Sequence, residues 1–235
     1  MLADDFARIA TELQSWEAVR GRDLPWRRRR DAYGLVVAEV LLQQTAAASV
    51  VPIWSKVLAH YPRPEDLLAA PDAELLGQIE RLGLGRQRVK RLREAVRAAV
   101  AGFEPLPGLG PYGQAVLTMA QGRPRTTTPV DANVARVVCR VAGLRWERGE
   151  PRRKREVLDI VDRLLGSGSP EAQLQTLYAL LDVAAAVCRP RATSCSLCPL
   201  ASTCVSAASE PSAVTMARPS ASASGGGTQS ETSRI

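Results

Sequence analysis

At 235 residues and 46% hydrophobic content, the chain has apolar material for one large core or two smaller lobes, which excludes a wholly disordered polypeptide. Its formal charge of +7 falls on the part before residue 205, since two acids balance two arginines beyond it. A domain this basic is expected to seek a polyanion, nucleic acid foremost.

No apolar run reaches the roughly eighteen residues of a membrane span. The N-terminus MLADDFARIATELQSW carries acids where a signal peptide needs basic residues. Five unevenly placed cysteines do not make a secreted disulfide scaffold. The expected location is cytoplasmic and nucleoid-associated, with no membrane.

In chain order, apolar residues recur at helical spacing over 3–19, 32–47, 53–60, 73–81, 87–101, 112–120, 132–142, 152–165 and 171–187. No segment alternates with period two, so the predicted fold class is all-α. Pro52 and Pro71 suit the first turn of a helix, and GLG at 83–85 and GSGSP at 166–170 interrupt helical patterns. Trp26 and Cys139 read as core residues. From 205 onward, Ser, Ala and Gly dominate and little remains to bury, which predicts a disordered tail.

Asp131 precedes the 132–142 pattern and has two compatible readings. It can cap that helix, or it can be a working carboxylate whose ionised form the helix N-terminus favours. Upstream, LPGLG holds Gly108 and Gly110 one residue apart, which allows a tight turn with backbone amides facing a phosphate. The arginine run Arg27 to Arg30 suits either phosphate contacts or a solvated face. In CRPRATSCSLCPLASTC, Cys188, Cys195, Cys198 and Cys204 follow the spacing C-x6-C-x2-C-x5-C. Four thiolates suit a zinc tetrahedron and a cubane cluster alike, and spacing does not choose between them.

That cysteine loop, placed after a helix at the end of an all-α chain, resembles the [4Fe-4S] loop of the endonuclease III and MutY family of DNA glycosylases. The resemblance runs from about Leu24 to Cys204 and implies a two-lobed helix-hairpin-helix fold with DNA in the groove. One lobe would span 23–129 and carry the hairpin. The other would combine 1–22 with 130–204 and hold the cluster, leaving 205–235 as the tail. The implied partner is double-stranded DNA with a mismatched or damaged base, bound by a monomer.

Within this resemblance LPGLG is the hairpin and Asp131 the catalytic acid, opposing positive charge on the deoxyribose as the base departs. Tyr112 stands where bifunctional relatives place a lysine; a phenol cannot form a Schiff base, so a monofunctional enzyme is implied. The stretch EVLLQQT resembles the MutY branch, with Glu39 as the general acid whose pKa desolvation would raise. Gln43 and Gln44 would meet DNA, Gln44 as the wedge that enters the base stack during extrusion. Arg86, Arg88, Arg189 and Arg191 would face phosphates.

Several features depart from the family pattern. RLGLGRQRVKRL lacks the tyrosines of the MutY wedge GLGYYxR and is one residue shorter around Arg86 to Arg88; VDAN replaces VDGN; and no domain that inspects oxidised guanine follows. Only GFEP precedes LPGLG, so the first hairpin helix is either missing or fused with 87–101. The expected activity is release of thymine or uracil opposite guanine. The alternatives are adenine removal opposite guanine or 8-oxoguanine, and a non-catalytic iron–sulfur DNA-binding protein.

Overall fold

The structure, a computed structural model, describes residues 3–144 and 154–209. Its helices are α1 (Ala3–Arg20), α2 (Ala32–Leu42), α3 (Ala47–His60), α4 (Pro64–Ala69), α5 (Asp72–Ile79), α6 (Gly85–Val100), α7 (Pro111–Ala120), α8 (Ala132–Ala142), α9 (Arg155–Leu165), α10 (Pro170–Ala186) and α11 (Val205–Ser209). Among the described residues there is no strand, only an isolated bridge between Cys188 and Thr193. None of their helices is long and apolar enough to cross a membrane.

The helices form two groups. In the first, α2 packs on α3 and α6, while α4 and α5 lie against α6. In the second, α10 packs on α1, α8 and α9, with α11 beside α8. Helix α7 touches both α2 and α10, so it joins the groups and lies beside the space between them. From Tyr33 to Val40, every α2 residue except Glu39 is buried, which fits a helix surrounded by partners. Burying each large aliphatic side chain in this core stabilises the fold by about 1.5–3 kcal/mol.

A buried acid ties the N-terminal segment to the second group. Asp182 on α10 accepts from Arg22 Nε at 2.6 Å and from both Arg27 terminal nitrogens at 2.8 Å. Burial works to raise its pKa, but the hydrogen bonds from Arg27 and Arg22 prevail and hold the carboxyl below its usual range. Arg27 also lies over the Tyr178 ring, 4.3 Å from its centre.

Several sequence expectations need correction. The pattern 32–47 is not one helix: α2 stops at Leu42, and Gln44 takes the left-handed region at φ 56° before α3 begins. Helix α3 starts at Ala47, so Pro52 lies inside it and not in its first turn. Helix α4 was not anticipated, being too short to show a period; Asp66 accepts from the Arg63 backbone N–H at 3.1 Å and fixes its start. Residues 205–209, expected as tail, form α11; the rest of that tail lies outside the described residues, as does the beginning of the 152–165 pattern. Trp26 and Cys139 are buried as expected, with Trp26 edge-on to Trp54 at 5.9 Å.

The hairpin is abbreviated. Helix α6 ends at Val100, and no helix lies between it and α7, so the turn around LPGLG has only its second helix. Side chains take over the missing support. Gln114 donates to the carbonyls of Leu106 and Leu109 at 2.7 and 3.2 Å, Gln43 donates to that of Gly108 at 2.8 Å, and Leu106 and Leu109 are buried beneath. Gly108 sits at φ 77°, a region that a side chain would strain.

Candidate active site

Between the groups lies a cleft of about 610 Å³ whose walls include Glu39, Gln43, Gln44, Gly110, Tyr112 and Asp131. Helix α2 supplies Glu39, the start of α7 supplies Tyr112, and the start of α8 supplies Asp131.

Asp131 is the N-cap of α8. Its Oδ1 accepts from the backbone N–H of Asn133 at 2.9 Å and of Val134 at 2.8 Å, while Oδ2 accepts from the Asn133 side-chain amide at 2.9 Å. The approach to it is also braced. Arg125 and Thr128 both donate to Asp162 on α9, at 2.6 and 2.7 Å, and the Thr127 hydroxyl donates to the Pro111 carbonyl at 3.0 Å. Capping and cleft placement therefore coexist in one side chain.

Glu39 is enclosed except where the cleft reaches it. Burial above all, and then the nearby charge of Asp131, pushes its pKa up to about 8. Its Oε2 lies so near α7 that a Cβ added to Gly113 would come within 3.3 Å, which makes Gly113 part of the acid's seat. Tyr112 is raised well above its ordinary value, first by burial and then by Glu39 and Asp131. Tyr178 is raised by burial and by Glu39. Near neutral pH the cleft thus holds a protonated carboxyl and two protonated phenols beside the capped acid.

The other expected residues divide. Gln44 is exposed at the cleft edge. Gln43 lines the cleft, but its amide is engaged at both ends, donating to Gly108 and accepting from Arg91 Nη1 at 3.0 Å. Arg86, Arg189 and Arg191 are exposed and lie outside the cleft wall. Arg88, expected on DNA, is 3% exposed with its guanidinium turned inward to protein acceptors, so a phosphate-facing role is corrected to an internal one. Of the arginine run, Arg27 pairs with Asp182, Arg28 with Asp23 and Arg29 with Asp31. Sequence reasoning missed Arg91, Asn133, Asp162 and Tyr178. Only Asn133, two residues after a candidate cap, carried a local signal.

Cys188, Cys195, Cys198 and Cys204 line one small cavity between α8 and the loop after α10, and none is in a disulfide. Among the described residues, no three His, Cys, Asp or Glu side chains are already gathered as a cage for a single ion. Burial pushes the Cys198 thiol up to about 11, with the neighbouring cysteines adding to the rise. Four unpaired thiols lining one cavity are a donor set that fits an iron–sulfur group. Arg140 attends the loop, donating to Cys188 Sγ at 3.2 Å and to the carbonyls of Arg189 and Pro190.

An all-helical protein with a capped acid, a buried acid and an abbreviated hairpin around one cleft has the makings of a base-excising enzyme, and known proteins agree. Residues 37–163 match the HhH-GPD superfamily base excision DNA repair protein family. A thymine/uracil-DNA glycosylase of Pyrobaculum aerophilum is 32% identical over 210 residues, covering 84% of this chain and 90% of that protein. An adenine DNA glycosylase of Mycolicibacterium smegmatis is 36% identical, covering 80% of this chain and 66% of that protein. The structure of a thermostable thymine-DNA glycosylase superposes with a TM-score of 0.70 at 26% identity, covering 88% of this chain and 98% of that one. The chain belongs to the HhH-GPD superfamily: it is a base-excision DNA glycosylase, a hydrolase of N-glycosyl bonds.

Proposed function

We propose that this glycosylase is monofunctional, releasing thymine or uracil opposite guanine from double-stranded DNA as a monomer and leaving an abasic site. One observation carries the reading: Asp131, fixed at a helix N-terminus, and Glu39, held protonated by burial, line the same cleft. As the C1′–N bond breaks, its electron pair leaves with the base and positive charge grows on the sugar. Asp131 opposes that charge and orients the water that adds at C1′, accepting its proton. Glu39 and the phenols of Tyr112 and Tyr178 offer hydrogens to the departing base, whose oxygens carry the negative charge. The similarity to a thymine/uracil-DNA glycosylase over 90% of that protein supports a pyrimidine.

The four cysteines would hold a [4Fe-4S] cluster, which when bound would cross-link the loop between α10 and α11 to itself. Arg140 and Arg136 keep that loop in place, Arg136 Nε donating to the Cys188 carbonyl at 2.9 Å.

Adenine opposite guanine or 8-oxoguanine is the second reading. Glu39 favours it, because purine departure depends on ring protonation, and so does the similarity to an adenine DNA glycosylase. End-labelled duplexes bearing T·G, U·G, A·G or A·8-oxoguanine, each read with and without hot alkali, test the proposal. Release from T·G and U·G with alkali-dependent breaks is expected; faster release from A·8-oxoguanine would transfer the assignment to adenine.

A further inference from the structure

Two exposed residues of the first helical group occupy the left-handed region without being glycine. Gln44 does so at φ 56° between α2 and α3, and Leu84 at φ 53° between Gly83 and Gly85. Such residues carry local strain and persist only where surrounding structure over-determines them. Leu84 is also 48% exposed, an apolar side chain presented to solvent.

The same buried group holds the backbone beside both. Arg88 Nη1 donates to the carbonyls of Val40 and Leu41 at 2.9 and 2.7 Å, at the C-terminal end of α2. Its Nη2 donates to the Gln43 carbonyl at 3.2 Å and the Thr45 hydroxyl at 3.1 Å, the residues on either side of Gln44. Its remaining bonds run to the carbonyls of Leu82 at 3.2 Å and Gly83 at 3.3 Å, just before Leu84. All three guanidinium nitrogens are committed, and no acid is among their partners. The positive charge meets the unpaired carbonyls that end α2, where a helix dipole favours it.

We infer that Arg88 is a positioning residue that locks the Gln44 and Leu84 turns into one rigid double tip, so that both are presented together to duplex DNA during base extrusion. The inference rests on the reading of Gln44 as the residue that enters the base stack. A lysine, with three donors and no planar fork, cannot reach both turns at once. Arg88 touches neither base nor sugar, so its loss should fall on the step that opens the duplex and spare the chemistry that follows.

The test compares wild type with Arg88→Lys and Thr45→Val, the second removing one of the Arg88 bonds to the Gln44 turn together with the bond that the Thr45 hydroxyl donates to the Gln43 carbonyl at 3.2 Å. Single-turnover excision is measured on a T·G duplex and on a duplex whose target thymine faces a tetrahydrofuran abasic site and is already unpaired. In parallel, 2-aminopurine beside the target reports unstacking by its fluorescence rise, which requires no bond cleavage. Arg88→Lys should slow excision of the paired thymine about tenfold, the rate equivalent of one hydrogen bond to a charged group, and the unpaired thymine less than threefold. The fluorescence rise should fall with it, and Thr45→Val should move in the same direction by a smaller factor. Should Arg88→Lys fail to fold, Thr45→Val decides alone. Equal loss on both substrates, or a rise that the variants retain, would overturn the positioning role while leaving the extrusion reading intact. Absence of the rise in wild type would overturn both.

Discussion

The side-chain amide of Asn133 donates to Asp131 Oδ2 at 2.9 Å and so orients the carboxylate whose other oxygen caps α8. Asn133 in turn accepts from Arg136 Nη1 at 3.1 Å, and Arg136 reaches the Cys188 carbonyl. The acid is therefore aimed by a side-chain relay that ends at the cysteine loop. Asp131→Asn separates charge from capping, because asparagine caps helices about as well as aspartate. Excision should fall at least about a hundredfold, the scale of losing one preorganised electrostatic contact. The melting temperature should stay within about 4 °C of wild type. Mismatch binding by gel shift should persist; full activity in this variant would reduce Asp131 to a cap.

Glu39 gives the enzyme a pH signature. Its pKa rises from 4.5 to about 8 on folding, so between those values the folded state binds more protons than the unfolded chain. From this group, stability is greatest below pH 4.5 and declines as pH rises through about 8. Excision that uses its proton should weaken over the alkaline part of that window. Glu39→Gln should lower the rate, remove the decline near pH 8 and flatten this contribution to stability, all readable from pH–rate and pH–melting profiles. An unchanged alkaline limb in Glu39→Gln would assign that limb to another group.

The helical period made most of the fold legible, and the resemblance singled out Glu39, Tyr112 and Asp131, which line one cleft in the structure. What stayed hidden depended on partners distant in sequence. Arg88 reads as one more basic residue in RQRVKR, and only the folding of α6 beside the end of α2 turns it inward. The break at Gln44 is invisible to an apolar pattern that continues from α2 into α3, because a single residue in the left-handed region makes it. Tyr178 looks like an ordinary helix residue until Arg27, 151 positions earlier, is seen stacked on its ring.

Tyr112 predicts the product. Its phenol, held protonated by burial and by the two acids, cannot form an imine with the sugar. Wild-type product should be an intact strand with an abasic site, cut only by alkali, and borohydride should trap no protein–DNA adduct. Tyr112→Lys puts an amine beside Glu39 and Asp131, and should yield a trapped adduct and alkali-independent breaks. Trapping with wild type would place a nucleophilic amine elsewhere in the cleft.

The cysteine loop yields a prediction with a visible readout. The loop has little regular structure of its own, only a short 3-10 turn at Cys195–Leu197 and the bridge from Cys188 to Thr193. Arg140 holds its beginning, and Leu200 is buried at 1% exposure. Burial raises the Cys198 thiol to about 11, so a bound metal group must displace its proton. The anaerobically purified protein should be yellow-brown with about four iron atoms per chain. Cys198→Ser should lose the colour and most of the iron, and its melting temperature should fall, since three thiolates no longer hold the 188–204 loop closed around the group. Because Asp131 is aimed through Asn133 and Arg136 from Cys188, excision should fall as well, while α-helical circular dichroism persists at low temperature. One zinc per chain and no visible absorbance would instead assign the four thiolates to a single tetrahedral ion.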